Sequence, residues 1–252
     1  MSRQFKPRPN NKFTEKYREE LDNIGENDIN EFIEHQRLIA DNIIVLDDAL
    51  SKGFLLDFKE NSLYDPEMKP GLWSPNIGYG GDDWPVDEWG YQLVTPASDK
   101  WVESPMMEAG KELWEKCKKI FKKEFDLKPS LHGAHMNATM FGMESKIHND
   151  SPDGTEAFII LFLNDDMNAY DGGELQTYIN MNPDLNVNKD FCESETDMSI
   201  NPKIGRMVIA DSRILHRGLA PTRFYGKARM TAVFKMKFKD RTDAWEKLDF
   251  KW

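Results

Sequence analysis

The chain is 252 residues long with 39% hydrophobic residues, enough to bury a substantial core, and is most simply one domain with elaborations. Its net charge of -11 disfavours a general nucleic-acid or anionic-membrane binder, because phosphate contacts need clustered Lys and Arg, and no long apolar run offers a membrane span. Cys117 and Cys192 are too few for a disulfide framework and lack zinc-type spacing, so both read as free thiols.

Residues 1–11 carry Arg3, Lys6 and Arg8 among prolines and asparagines. This reads as a disordered tail, and the absence of a hydrophobic stretch predicts a soluble, cytoplasmic chain without a secretory signal. From Phe13 the spacing Phe13, Tyr17, Leu21 is helical. Asp28 with Glu31 resembles a capping box for a second helix carrying Ile29, Phe32, Ile33 and Ile39, with His35 on its polar side as a surface histidine. Residues 42–46, NIIVL, form a short apolar strand, and a helix is expected near Ala49 to Phe58. Between Lys69 and Val102, aromatic residues including Trp73, Trp84 and Trp89 stand among many prolines and glycines, so an irregular segment is predicted. These aromatics either close a small satellite core or rim the mouth of a site. Ser104 to Phe125 is an amphipathic helix with Met106, Ala109, Leu113, Cys117, Ile120 and Phe121 on one side, suited to backing a sheet.

Pro129 ends that helix, and LHGAHMNATMFG follows. On a regular strand His132 and His135 point to opposite faces, so both are assigned structural roles, while Asn137 and Thr139 share one face. His148-Asn149-Asp150 places an imidazole and a carboxylate two residues apart on one side of an extended segment, and His216 can complete a set of two histidines and one carboxylate. Such a face suits a redox-active metal, iron above all, and leaves the opposite coordination positions open. Phe158 to Leu163 is a continuous apolar run, as in a buried strand, and Gly172-Gly173 marks a tight strand entry. Asn180 to Asn201 is polar and reads as a disordered or mobile insertion. Arg206 to Ala210 is a strand leading towards His216. From Ala228 onward one parity is apolar (Ala228, Met230, Ala232, Phe234, Met236, Phe238), and the other opens with Arg229 and Thr231. An arginine beside a hydroxyl on a strand face is what a dicarboxylate needs, a planar fork and a further donor; Arg223 and Lys227 are lesser alternatives.

Several short strands with Gly/Pro-rich turns, preceded by helices, suggest an α+β protein. The expected core is a double-stranded β-helix (a cupin-like jelly roll) over 131–240, with the N-terminal and flanking helices packed on its larger sheet. Residues 12–252 are then one domain, whose part over 12–130 is helical and aromatic-rich.

HND at 148–150, FIILFLND at 158–165, DGGELQTY at 171–178, PKIGRMVIADS at 202–212, His216 with Pro221, and GKARMTAVFKMKF at 226–238 occur together in this order. This stretch, roughly the last 110 residues, resembles the Fe(II)- and 2-oxoglutarate-dependent oxygenases, most of all the prolyl 4-hydroxylase-like branch. The resemblance implies Fe(II) on His148, Asp150 and His216, with 2-oxoglutarate as cosubstrate, O2 as oxidant and ascorbate as a candidate reductant. It implies that Arg229 and Thr231 hold the far carboxylate of 2-oxoglutarate and that Asn137 or Thr139 adds a polar contact. Many such enzymes carry a tyrosine where this chain has Phe162, so its hydroxyl must be replaced, with Thr231 as the candidate. The carboxylate of Asp150 disfavours halogenation. The implied reaction is hydroxylation of an unactivated C–H bond with release of succinate and CO2, first of a prolyl residue in a protein or peptide, with a free amino acid or small metabolite as the alternative. No nucleic-acid partner and no membrane are expected, and the oligomeric state stays open. A cupin-like metal-binding or sensor protein without turnover is the competitor from another class. A zinc hydrolase lacks a general-base motif such as HExxH.

Overall fold

The computed structural model of the chain describes residues 26–64, 73–76, 88–95, 100–104, 106–143, 145–151, 155–180 and 194–250. The expected N-terminal tail, the helix from Phe13, Trp84 and Cys192 lie outside them. In order, the elements are α1 (Glu26–Ala40), β1 (Ile43–Leu46), α2 (Lys52–Tyr64), β2 (Trp73–Asn76), β3 (Glu88–Thr95), β4 (Lys100–Trp101), α3 (Met107–Phe125) and β5 (Ser130–Thr139). There follow β6 (Glu156–Phe162), β7 (Leu175–Asn180), β8 (Ser194–Ile200), β9 (Met207–Asp211), β10 (Leu215–Gly218), β11 (Arg229–Lys237) and α4 (Arg241–Leu248).

The strands form two antiparallel sheets. The larger runs β1-β9-β6-β11-β5-β3-β2 with β4 paired to β3, and the smaller runs β10-β7-β8. Together they are the two layers of a double-stranded β-helix, as the sequence predicts. Alternation along the strands splits the larger sheet between two cores. Outward residues Ala157, Ile159 and Leu161 of β6, Met207 and Ile209 of β9, and Met230, Ala232, Phe234 and Met236 of β11 pack under helices. Leu55 and Phe58 of α2, Leu113, Trp114, Cys117 and Phe121 of α3, and Trp245 of α4 cover them, with Trp114 stacked on Phe234 at 5.6 Å between centroids. Inward residues Phe158, Ile160, Phe162, Val208, Ala210 and Val233 meet Leu175 and Ile200 of the smaller sheet. The apolar parity of β11 therefore faces the helices, and the parity of Arg229 faces the interior between the sheets.

Four sequence expectations differ from the structure. Asp28 lies inside α1, which starts at Glu26, so it is not that helix's cap. Residues 73–76, 88–95 and 100–101 are strands extending the larger sheet, although the prolines and glycines around them predict irregular structure. Cross-strand pairing with β5 supplies the ladder that local propensity lacks. Asn180 ends β7, and residues 194–200 form β8, paired with β7 from Leu175↔Ile200 to Asn180↔Ser194, where a loop is expected. This polar edge strand exposes Glu195 to Ser199, and an edge needs only one apolar anchor, here Ile200.

The fourth correction concerns β5. Its register with β11 runs regularly from Arg229↔Thr139 to Lys235↔Gly133 and then jumps to Met236↔Leu131. The extra residue is His132, and a bulge of this kind turns a side chain to the other face. His132 Nε2 consequently lies 3.5 Å from Glu156 Oε1 of β6, whose register partner is Lys237. His132 and His135 thus share the inward face rather than opposing each other.

Candidate metal centre

The first two ligand candidates stand just after β5, on a segment that the smaller sheet straightens. His148 and His216 exchange backbone hydrogen bonds, His148 N to His216 O at 3.0 Å and His216 N to His148 O at 2.8 Å. Asp150 N donates to Ser212 O at 2.9 Å. His148, whose turn from β5 is tied down by Ser145 Oγ accepting from Gly218 N at 2.9 Å, is thereby locked beside the strand that bears His216. The potential ligand atoms of His148, Asp150 and His216 all lie within 4.8 Å of one another, a spacing that one ion can span.

Each ring is oriented by its second nitrogen. His148 Nδ1 is 2.8 Å from Lys146 O, and His216 Nδ1 is 2.9 Å from Ile214 O. A carbonyl only accepts, so both Nδ1 atoms carry a proton and Nε2 of each ring is the atom turned towards a metal. Burial pushes the His216 pKa down to about 4, His148 adding to the effect, so His216 is neutral and competent to ligate near pH 7. Burial raises the Asp150 carboxyl, but Lys235, His216 and His148 together outweigh it and hold the group at about 2, an anion.

A buried arginine lies next to this triad. Arg229 is 3% exposed, donates from Nε to Gly173 O at 2.7 Å, and has its guanidinium 5.4 Å from the Phe162 ring centroid. A Cβ on Gly218 would come within 3.0 Å of Arg229 Nη1 and 3.3 Å of Nη2, so the guanidinium occupies space that only a glycine leaves open. Gly218 is two residues beyond His216 on β10, about 7 Å of strand. The guanidinium is therefore within reach of a short dicarboxylate bound at the triad. Thr231 sits beside Asn137 on one neighbouring strand and Phe162 on the other, and Thr139 opposes Arg229. Asn137 Oδ1 is buried without a hydrogen-bond partner among the described residues. Two imidazoles, one carboxylate and an arginine in a glycine cradle fit a divalent metal with a bound dicarboxylate.

All the residues singled out from the sequence, His148, Asp150, His216, Arg229, Thr231, Asn137, Thr139 and Phe162, thus line one interior. The lesser alternatives do not. Arg223 is exposed with its guanidinium over Phe224, and Lys227 pairs with Asp166. Sequence reasoning missed three residues. Lys235 donates from Nζ to Asp150 Oδ1 at 2.7 Å. His135 shares its electrostatic surroundings with Lys235, Asp150 and His148, and burial, reinforced by Lys235, lowers its pKa to about 4. Gly218 makes the third. The signal for Lys235 was present in the sequence, since it has the parity of Arg229 and Thr231.

No family model matches the chain, and no curated protein sequence matches it. Solved structures do. A prolyl-4-hydroxylase of Pseudomonas putida aligns with a TM-score of 0.50 at 16% identity, over 81% of this chain and 99% of that one. A Trichoplax adhaerens prolyl hydroxylase, in complex with a hypoxia inducible factor peptide fragment, gives 0.53 at 14% identity, over 90% and 97%. A non-heme alpha-ketoglutarate-dependent epimerase of nogalamycin biosynthesis gives 0.54 at 10% identity, over 84% and 86%. What the chain shares with them is the fold, the double-stranded β-helix of prolyl hydroxylases and other 2OG-Fe(II) oxygenases.

Proposed function

We propose that this protein is an Fe(II)- and 2-oxoglutarate-dependent oxygenase that hydroxylates an unactivated C–H bond. The observation carrying this reading is the placement of Arg229: a buried guanidinium, held by Gly173 and given room by Gly218, two residues along β10 from a preformed set of two histidines and one carboxylate. A buried arginine beside the ligand set favours this reading over a metal-binding protein without turnover. Iron with 2-oxoglutarate would supply the oxidising power by reductive activation of O2, with succinate and CO2 as products. The chain's own residues do the rest. His148, Asp150 and His216 hold one face of the metal, and the carbonyls of Lys146 and Ile214 fix the two imidazoles. Arg229 pairs with the distal carboxylate of 2-oxoglutarate, and Thr231 supplies the hydroxyl absent at Phe162. Phe162, Phe158 and Val233 keep the interior dry.

A prolyl residue of a protein or peptide is the first substrate reading, supported by the resemblance of the motifs and by two prolyl hydroxylases among the structural neighbours. A small molecule is the second, supported by the epimerase that shares the fold.

The test is an anaerobic titration of the Fe(II)-loaded protein with 2-oxoglutarate, following the metal-to-ligand charge-transfer band. The wild type should develop the band. Arg229→Ala should need at least tenfold more 2-oxoglutarate while binding Fe(II) normally, and Asp150→Ala should show no band. A wild-type protein that binds Fe(II) but never develops the band is a metal-binding protein of another kind.

A further inference from the structure

On the inward face of β11 the side chains run Arg229, Thr231, Val233, Lys235, Lys237. Two cations therefore flank the triad on one strand, Arg229 on the side of β10 and Gly218, Lys235 on the side of Asp150. Lys235 Nζ lies 2.7 Å from Asp150 Oδ1, and the same oxygen lies 4.0 Å from His148 Nε2. The lysine ammonium thus stands beside the Asp150 carboxylate as a local cation. A divalent ion held by the same carboxylate would repel an ammonium at hydrogen-bond distance.

Lys235, once displaced, stays next to the metal, because its side chain is only 23% exposed and its backbone is fixed in the middle of the larger sheet. Among the described residues, the other charged groups on that face offer no ready substitute for Asp150. Lys237 pairs with Glu156 at 3.2 Å, His132 lies on the same carboxylate at 3.5 Å, and His135 is a neutral imidazole. A partly desolvated ammonium beside a metal calls for an anion. With Arg229 holding 2-oxoglutarate at one end of the triad, Lys235 stands at the other end, where a primary substrate would meet it.

We infer that Lys235 reads the substrate: the molecule oxidised is a small carboxylate, such as a free amino acid, whose carboxylate pairs with the Lys235 ammonium and so places a neighbouring C–H bond over the metal. The inference rests on the oxygenase reading above and narrows it towards small carboxylates rather than internal residues of a polypeptide. Lysine is suited to this as a flexible point charge that can leave Asp150 for another oxygen, whereas the arginine at position 229 is suited to a fixed bidentate contact.

The experiment uses the full chain loaded with Fe(II) and 2-oxoglutarate, with succinate release expressed per charge-transfer-competent site in the same sample. The probes are the twenty protein amino acids as free acids, the same set as primary amides, and a proline-containing peptide blocked at both ends. At least one free acid should stimulate succinate release tenfold or more over its amide. That ratio should fall towards one in Lys235→Met and Lys235→Gln and recover in part in Lys235→Arg. Mn(II) titration of the metal-free proteins gives a readout apart from turnover: Lys235→Met should bind Mn(II) as tightly as the wild type or more tightly, since no ammonium has to be displaced. Equal stimulation by acids and amides, a ratio that survives in Lys235→Met, stimulation by the blocked peptide alone, or no stimulation by any acid each overturns the inference. So does a tenfold loss of Mn(II) affinity in Lys235→Met, which would leave the lysine a support for Asp150. No charge-transfer band in the wild type removes the oxygenase reading itself, a result distinct from all of these.

Discussion

Two imidazoles on the inward face, His135 and His216, are held at about 4, mainly by burial, with Lys235 adding to it at His135 and His148 at His216. An unfolded histidine titrates near 6.5. A histidine depressed in the folded state contributes stability that is present above the unfolded value and lost as pH falls through the window down to the folded one. The metal-free protein should accordingly lose a few kcal/mol of unfolding free energy between about pH 6.5 and pH 4. Asp150, held at about 2, acts in a lower window: its contribution is present above the ordinary carboxylate value and disappears only as pH falls towards 2. Urea unfolding of the metal-free protein across both windows checks this, and a flat profile from neutrality to pH 4 would show that the two imidazoles are not desolvated as described. Phe162 also has a role at this scale. Its ring lies under the Arg229 guanidinium, a cation–π contact that helps hold the arginine in place.

Strand geometry decides which side chains meet. Gly218 and Gly173 bracket Arg229 but respond differently to substitution. Gly218 has ordinary backbone angles, and a Cβ there meets only the movable end of the arginine. Gly173 has φ +78°, and a Cβ would come within 2.8 Å of Met167 Cε and 3.2 Å of Arg229 Cδ. Gly218→Ala should therefore leave thermal stability within about 1 kcal/mol of wild type and raise the 2-oxoglutarate requirement several-fold by displacing the guanidinium. Gly173→Ala should cost about 1 kcal/mol or more from the left-handed backbone alone. Calorimetry beside the charge-transfer titration separates the two, and a Gly218→Ala protein with unaltered 2-oxoglutarate binding would show that the cradle does not set the guanidinium's place. The β5 bulge is the other decision at this scale, since one extra residue brings His132 to the side of Glu156.

Across the whole molecule, the two-sheet core is closed on the helix side by a buried polar lock. Asp211, fully buried at the end of β9, accepts from Asn42 Nδ2 at 3.2 Å, Arg213 Nη2 at 2.6 Å and Trp245 Nε1 at 3.2 Å. One carboxylate thus joins the start of β1, the turn before β10 and the C-terminal α4. Removing it takes a carboxylate acceptor from a part-buried guanidinium and a buried indole N–H, which costs about 3–5 kcal/mol. Asp211→Ala should lower the unfolding free energy by that amount in chemical denaturation. A loss below about 1 kcal/mol would mean that apolar packing around Trp245 holds α4 without the lock.

The sequence by itself determined what depends on spacing along one segment. The two-residue step from His148 to Asp150, the alternation that puts Arg229 and Thr231 on one face and Met230 to Met236 on the other, and the helical repeat ending at Phe121 follow from local geometry. The order of the motifs then pointed to the fold. Tertiary structure decided whatever depends on pairing between distant strands. β3 and β8 exist because β5 and β7 offer them ladders, His132 changes face because β11 imposes its register on β5, and α4 is held through Trp245 by Asp211, 34 positions earlier in the chain. Lys235 lies on that boundary: its face was legible from alternation, but its approach to Asp150 required the fold to bring together residues 85 positions apart. Local spacing sets the direction of a side chain, and only packing sets what it meets.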